Sequence, residues 1–182
     1  MRVIGGEFRS RVLKSFPGLD VRPTPDRLRE ALFNILRPRI ADAVFVDAYA
    51  GTGAVGIEAL SRGAARAIFI EQNHAAVQVI RENLRSLGLT DRAQIRSGRA
   101  AKLIEGLQAD IVFLDPPYHL ENEYGAALRA LSDTPPALVI AQHSSRFDPG
   151  DSHGALNRTR VLKQGDNSVS FYSPPPTPDS ES

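Results

Sequence analysis

The sequence predicts an α/β protein with a mostly parallel sheet and helices on both faces. Three observations point there. A short apolar run, Val44–Val46, ends at Asp47 and passes through Gly51, Gly53 and Gly56 into a helical pattern. Apolar runs and helical repeats then alternate as far as Ala141. Three of the runs close on an acid, at Asp47, Glu71 and Asp115, and strand ends face the ligand crevice of an open α/β sheet.

The elements follow in order. Met1–Ser15 reads as a small β-hairpin broken at Gly5 and Gly6. It is too small to hold a core, so it must lean on something or be partly mobile. Residues 16–23 form a loop. Thr24 is expected to cap a helix whose first residue is Pro25, where the missing N–H costs nothing. Leu28, Leu32, Ile35 and Leu36 give that helix one apolar face, Arg27, Arg29 and Glu30 lie off it, and Pro38 ends it. After the central strand comes a helix over 54–62, then strand 67–70 and helix 73–87 with Val77, Ile80, Leu84 and Leu87 on one face. A weak strand, 93–96, and a short helix, 99–107, precede strand 111–114. Helix 123–131 and strand 137–141 complete the alternation. Runs 159–162 and 169–172 flank Gly165-Asp166-Asn167, which reads as an antiparallel C-terminal hairpin. The tail, SPPPTPDSES, has little apolar surface to bury and reads as disordered. The organisation expected is an N-terminal basic hairpin extension (1–23), one main domain (24–172) and a tail (173–182).

With 182 residues and 42% hydrophobic content, the chain can build one substantial core. No run approaches the ~20 apolar residues of a membrane helix, and the N-terminus lacks a signal-peptide core. The absence of cysteine excludes disulfides and thiolate metal sites and fits a cytoplasmic protein. The four histidines have no metal-ligand spacing, so no metal is expected. Residues 1–39 carry nine Lys/Arg and four acids, a balance of +5 in a chain of net charge +1. A basic front end on an acidic body fits either a polyanion partner or a solvated basic hairpin.

The candidate site gathers at the strand ends. Glycines let the backbone approach a ligand closely. Glu71 stands 20 residues after Gly51, where an acid can accept hydrogen bonds from ribose hydroxyls, a spacing that a dinucleotide fold shares. Asp47 would repel a pyrophosphate but suits a cationic ligand such as S-adenosylmethionine. Asp115-Pro116-Pro117-Tyr118 is the most specific element. Two prolines stiffen the turn and leave carbonyl acceptors without N–H donors. A carboxylate, a carbonyl and a ring together suit a planar amino group.

Asp47 with AGTGAVG, Glu71 and DPPY resemble a Rossmann-like class I S-adenosylmethionine-dependent methyltransferase acting on an exocyclic amine. RVIGGEFRSRVLK, RPTPDRLREALFNIL and DAYAGTGAVGIEALSRGA narrow the resemblance to the bacterial RsmD family. That family methylates guanine N(2) in 16S ribosomal RNA of the small subunit. The resemblance implies a monomeric, cytoplasmic enzyme whose partner is 16S rRNA in the assembled or assembling subunit. It implies cofactor contacts from Asp47, Tyr49, Ala50, Gly51, Thr52, Gly53, Glu71, Gln72, Arg99, Ala100 and Asp115. Asp115, Pro116, Pro117 and Tyr118 would hold the guanine amine, and Arg2, Arg9, Arg11, Arg22, Arg27 and Arg29 would engage RNA. Two departures stand out. Arg99 replaces an Asp or Asn that would accept from the adenine amine, and Gln142 follows the fifth strand where an acid is expected. The rivals are an amino-methyltransferase acting on adenine or guanine in DNA or another RNA, a nicotinamide oxidoreductase, and an RNA-binding module without catalysis.

Overall fold

A computed structural model describes residues 1–18 and 24–178. One eight-stranded sheet runs through the molecule in the order β3-β2-β1-β4-β5-β8-β7-β6. The strands are β1 (Val44–Asp47), β2 (Arg66–Glu71), β3 (Ala93–Ser97), β4 (Ile111–Leu114), β5 (Leu138–Ser144), β6 (Ser152–His153), β7 (Leu156–Gln164) and β8 (Asn167–Ser173). The first five are parallel and the last three antiparallel. The helices are α1 (Asp26–Ile40), α2 (Ala54–Ser61), α3 (His74–Ser86), α4 (Ala100–Leu103) and α5 (Asn122–Ser132).

The apolar runs lack alternation because the sheet is covered on both faces. Phe45, Phe69, Ile111, Phe113 and Ile140 enter one core with α1, α2 and α3. Their strand neighbours Val46, Ile68, Ile70, Val112, Leu114 and Val139 enter a second core with Tyr124 and Leu128 of α5. The chain leaves β1 for β2 on one side, and β4 lies on the other. This reversal opens the crevice at the C-terminal ends of β1 and β4.

Several boundaries differ from expectation. Pro25 occupies the N-cap of α1, and the Thr24 hydroxyl turns to Gln142 Oε1 (3.2 Å) instead of capping. Pro38 lies inside α1, which continues until buried Ile40 reaches the core. A proline near a helix end forfeits only one backbone bond. Helix α4 stops after one turn, whereas β5, β7 and β8 outrun their apolar runs because hairpin pairing carries polar residues along. Gly165 takes the positive φ (60°) of the β7–β8 turn. The tail residues Asp179–Ser182 and loop residues Leu19–Pro23 lie outside the described residues.

The front end leans, as a hairpin of its size must. Only one isolated bridge, Arg2 to Val12, joins its arms, so it is a clasp without extended strands. Val3 and Leu13 are buried in the first core. The Glu58 carboxylate, fully buried on α2, accepts from the N–H groups of Ile4 and Gly5 and from Arg62 Nε, each at 2.9 Å. Asn83 of α3 accepts from Lys14 N (2.8 Å) and donates to Lys14 O (3.1 Å). Removing an acceptor from buried donors costs the full desolvation of those donors. Glu58→Ala should therefore destabilise the fold by about 2–4 kcal/mol and speed amide exchange at Ile4 and Gly5. Unchanged protection at both amides would refute the clasp.

Candidate functional site

The glycine turn after β1 is braced by carboxylates. Asp47, 1% exposed, accepts from the N–H of Gly56 (2.9 Å) through Oδ2. Glu71 accepts from the N–H of Gly51 (2.8 Å) with Oε2 and from that of Asn73 (2.9 Å) with Oε1. Gly56 admits no larger residue, because a Cβ there would stand 2.3 Å from the Phe69 ring. The close packing of α2 on β2 therefore fixes where the turn points.

Two cavities open at this edge. The first, about 310 Å³, is lined by Tyr49, Gly51, Glu71, Gln72, Arg99 and Ala100 on one side and by Asp115, Pro116, Pro117 and Tyr118 on the other. The second, about 240 Å³, is lined by Asp47, Ala50, Thr52 and Thr24, with Arg29 and Met1 from the front of the chain. Tyr49 and Asp115 line both. The fold thus gathers the sequence-predicted cofactor residues into two adjoining spaces. Gly53 lines neither; with φ 83° it caps α2.

The Asp115–Tyr118 corner leaves β4 directly. Tyr118 is 44% exposed, and its hydroxyl donates to Asn167 Oδ1 (2.8 Å) at the start of β8. The C-terminal hairpin thereby holds the ring at the mouth of the first cavity. Burial raises the Asp47 carboxyl to about 7, against the lowering bond from Gly56. Asp115 is half-buried and pushed up to about 8 by desolvation and then by the Asp47 charge, with the Thr24 hydroxyl opposing.

Glu123 is a site residue that sequence reasoning missed. It sits on α5, lines the first cavity, and accepts from Tyr49 Oη (3.1 Å) and Arg99 Nη2 (3.1 Å). An acid therefore stands beside Arg99 after all, supplied from a different element. No spacing links Glu123 to the glycine turn, so only the fold reveals it. Gln142 lies within β5, its side chain accepting from Thr24 and its carbonyl from Tyr124 Oη (2.6 Å). It is a buried bracket between α1, α5 and the sheet.

The basic residues divide. Arg2, Arg9, Arg11 and Arg27 are exposed on the front end, with Arg2 donating to Ser10 O (2.8 Å) and Arg11 to Ser86 O (3.3 Å). Arg22 lies outside the described residues. Arg29 is a correction to the expected surface position, being 1% exposed. Its Nη2 donates to Arg2 O (2.7 Å) and Asp26 Oδ1 (3.1 Å). The helix face that carries Leu32 and Leu36 carries Arg29 inward, because the front-end clasp covers it.

A reversed strand β8 inserted beside β5, with a glycine turn after β1 and an acidic corner after β4, is the architecture of Rossmann-like methyltransferases. The solved structure of yhhF from Escherichia coli superposes with a TM-score of 0.80 at 35% identity, covering 96% of this chain and 97% of that one. The model of the family described as Conserved hypothetical protein 95 matches residues 1–173, and the chain belongs to this family, the RsmD family. YlbH of Bacillus subtilis is 34% identical over 183 residues, spanning 94% of this chain and 98% of that protein. The Ribosomal RNA small subunit methyltransferase D of E. coli is 44% identical over 119 residues, 65% of this chain and 60% of that protein.

The raised carboxyls make stability depend on pH. Both bind protons more tightly in the folded chain than in the unfolded one, so unfolding releases protons above pH ~4. Melting of the ligand-free protein should therefore fall as pH rises from about 5 to 8, by up to about 1.4 kcal/mol per pH unit for each carboxyl. Asp47→Asn should flatten the profile. A melting temperature that climbs through this window would contradict the raised carboxyls.

Proposed function

We propose that the protein transfers a methyl group from S-adenosylmethionine to the exocyclic N(2) amine of a guanine in 16S rRNA of the small ribosomal subunit. The Asp115–Tyr118 corner carries this reading. It joins a carboxylate, a turn without N–H donors at Pro116 and Pro117, and an exposed ring at the mouth of a cavity. A planar amine finds acceptors there, and its base finds a stacking face. The name of the E. coli relative supports rRNA as the substrate class. Among the described residues no helix is long and apolar enough to cross a membrane.

The cavities fit the cofactor. Glu71 would present a carboxylate to the ribose, Gly51 allows close approach, and Asp47 and Asp115 beside Tyr49 are carboxyls whose ionised form a cationic ligand favours. When bound, S-adenosylmethionine supplies an electrophilic methyl group on a sulfonium. Asp115 and the Pro116 carbonyl accept the amine hydrogens and orient its lone pair, while Tyr118, braced by Asn167, fixes the plane of the base. The Asp115 carboxylate, deprotonated once the cationic cofactor lies beside it, can take up the proton that the methylated amine sheds. Exposed Arg2, Arg9, Arg11 and Arg27 on the front end hold RNA phosphates, which positions the substrate without reading its sequence.

The test is to incubate the protein and labelled S-adenosylmethionine with small subunits from cells lacking it, then analyse the nucleosides by mass spectrometry. Label in N(2)-methylguanosine of 16S rRNA is expected; label on adenine, or RNA binding without transfer, overturns the proposal. Asp115→Ala should lower transfer at least ~100-fold while S-adenosylhomocysteine still raises the melting temperature. A fully active variant removes Asp115 from the chemistry. Arg9→Glu with Arg27→Glu should weaken RNA binding and flatten its salt dependence; unchanged binding would move the RNA surface elsewhere.

A further inference from the structure

Arg29 is the buried charge that the reaction above leaves unused. It is 1% exposed, yet its Nε has no hydrogen-bond partner among the described residues. Its Nη2 is held by Arg2 O and Asp26 Oδ1, which fixes the guanidinium plane. The group lines the second cavity with Thr24, Thr52, Asp47 and Asp115. A buried N–H left without an acceptor costs about 1–3 kcal/mol, more on a charged group, so such an arrangement calls for an acceptor. Glu58 and Asp26 partly offset the desolvation that lowers its pKa. Both acids have other partners: Glu58 is bonded to Ile4, Gly5 and Arg62, and Asp26 meets Nη2.

The chemistry of the cavity is zwitterionic. Two carboxyls line it, and a preset guanidinium lines it with them. It adjoins the first cavity through Tyr49 and Asp115. An α-amino acid group, with one cationic and one anionic end, matches that charge pattern. A carboxylate matches the fixed fork of a guanidinium. We infer that Arg29 is the anchor for the amino-acid carboxylate of the cofactor, with Asp47 and Asp115 facing its ammonium end. This rests on the cofactor reading proposed above. It also gives the front-end clasp a second use, since the Arg2 carbonyl holds the anchor in position.

The test compares two ligands that differ only in the carboxylate, S-adenosylhomocysteine and its decarboxylated analogue, by isothermal titration. The wild-type protein should prefer S-adenosylhomocysteine roughly 10–100-fold, the range of a charge-assisted hydrogen bond. Arg29→Met should abolish that preference, costing S-adenosylhomocysteine more affinity than it costs the decarboxylated analogue. Arg29→Lys, which keeps the charge but not the fork, should recover part of it. If Arg29→Met fails to fold, the wild-type preference and the Arg29→Lys variant still decide. Wild-type protein that binds both ligands equally overturns the anchor and leaves the cofactor reading intact. So does an Arg29→Met or Arg29→Lys protein with the full wild-type preference. Wild-type protein that binds neither ligand overturns both readings.

Discussion

Asp47 and Asp115 are two carboxyl groups that cannot both be charged cheaply, placed where β1 and β4 end side by side in the sheet. Desolvation raises both groups, to about 7 for Asp47 and about 8 for Asp115, with the Asp47 charge adding to the shift of Asp115. The arrangement costs stability, and natural sequences keep such costs at functional sites. Under the function proposed above, a ligand that brings positive charge to the same place would offset it. The glycine turn, the Glu71 brace and the close packing of Gly56 on Phe69 all fix that carboxyl-lined corner at the edge of an open crevice.

The front end belongs to the same design. Its basic residues face outward, while Val3 and Leu13 enter the core and Glu58 and Asn83 grip its backbone. A fifteen-residue clasp could not hold itself together. Docked on α2 and α3, it covers α1, closes over Arg29 and walls the second cavity with Met1. Under the function proposed above, RNA contact and cofactor enclosure would both fall to this one segment.

Much of this was legible in the sequence. Four of the five parallel strands followed from unbroken apolar runs between helical repeats, the weak β3 from its place in that alternation, and the C-terminal hairpin from Gly165. Asp47, Glu71 and Asp115 were legible as strand-end acids because the βα rhythm dictates where strand ends face. Arg29 was misread because helical spacing places it beside the apolar stripe and says nothing of a clasp packing over that edge. Glu123 and Asn167 were invisible for a related reason: their partners Tyr49 and Tyr118 lie 74 and 49 residues away. Thr24 looked like a helix cap, since a local pattern cannot reveal that Gln142 of β5 competes for its hydroxyl.

Asp47 and Asp115, each raised by desolvation, hold protons near neutral pH that a cationic ligand displaces. Titration calorimetry with S-adenosylmethionine near pH 7, in two buffers of different ionisation heat, counts the protons that leave on binding. The account predicts net proton release, larger for the sulfonium than for uncharged-sulfur S-adenosylhomocysteine. Binding heats that are independent of buffer for both ligands would contradict it.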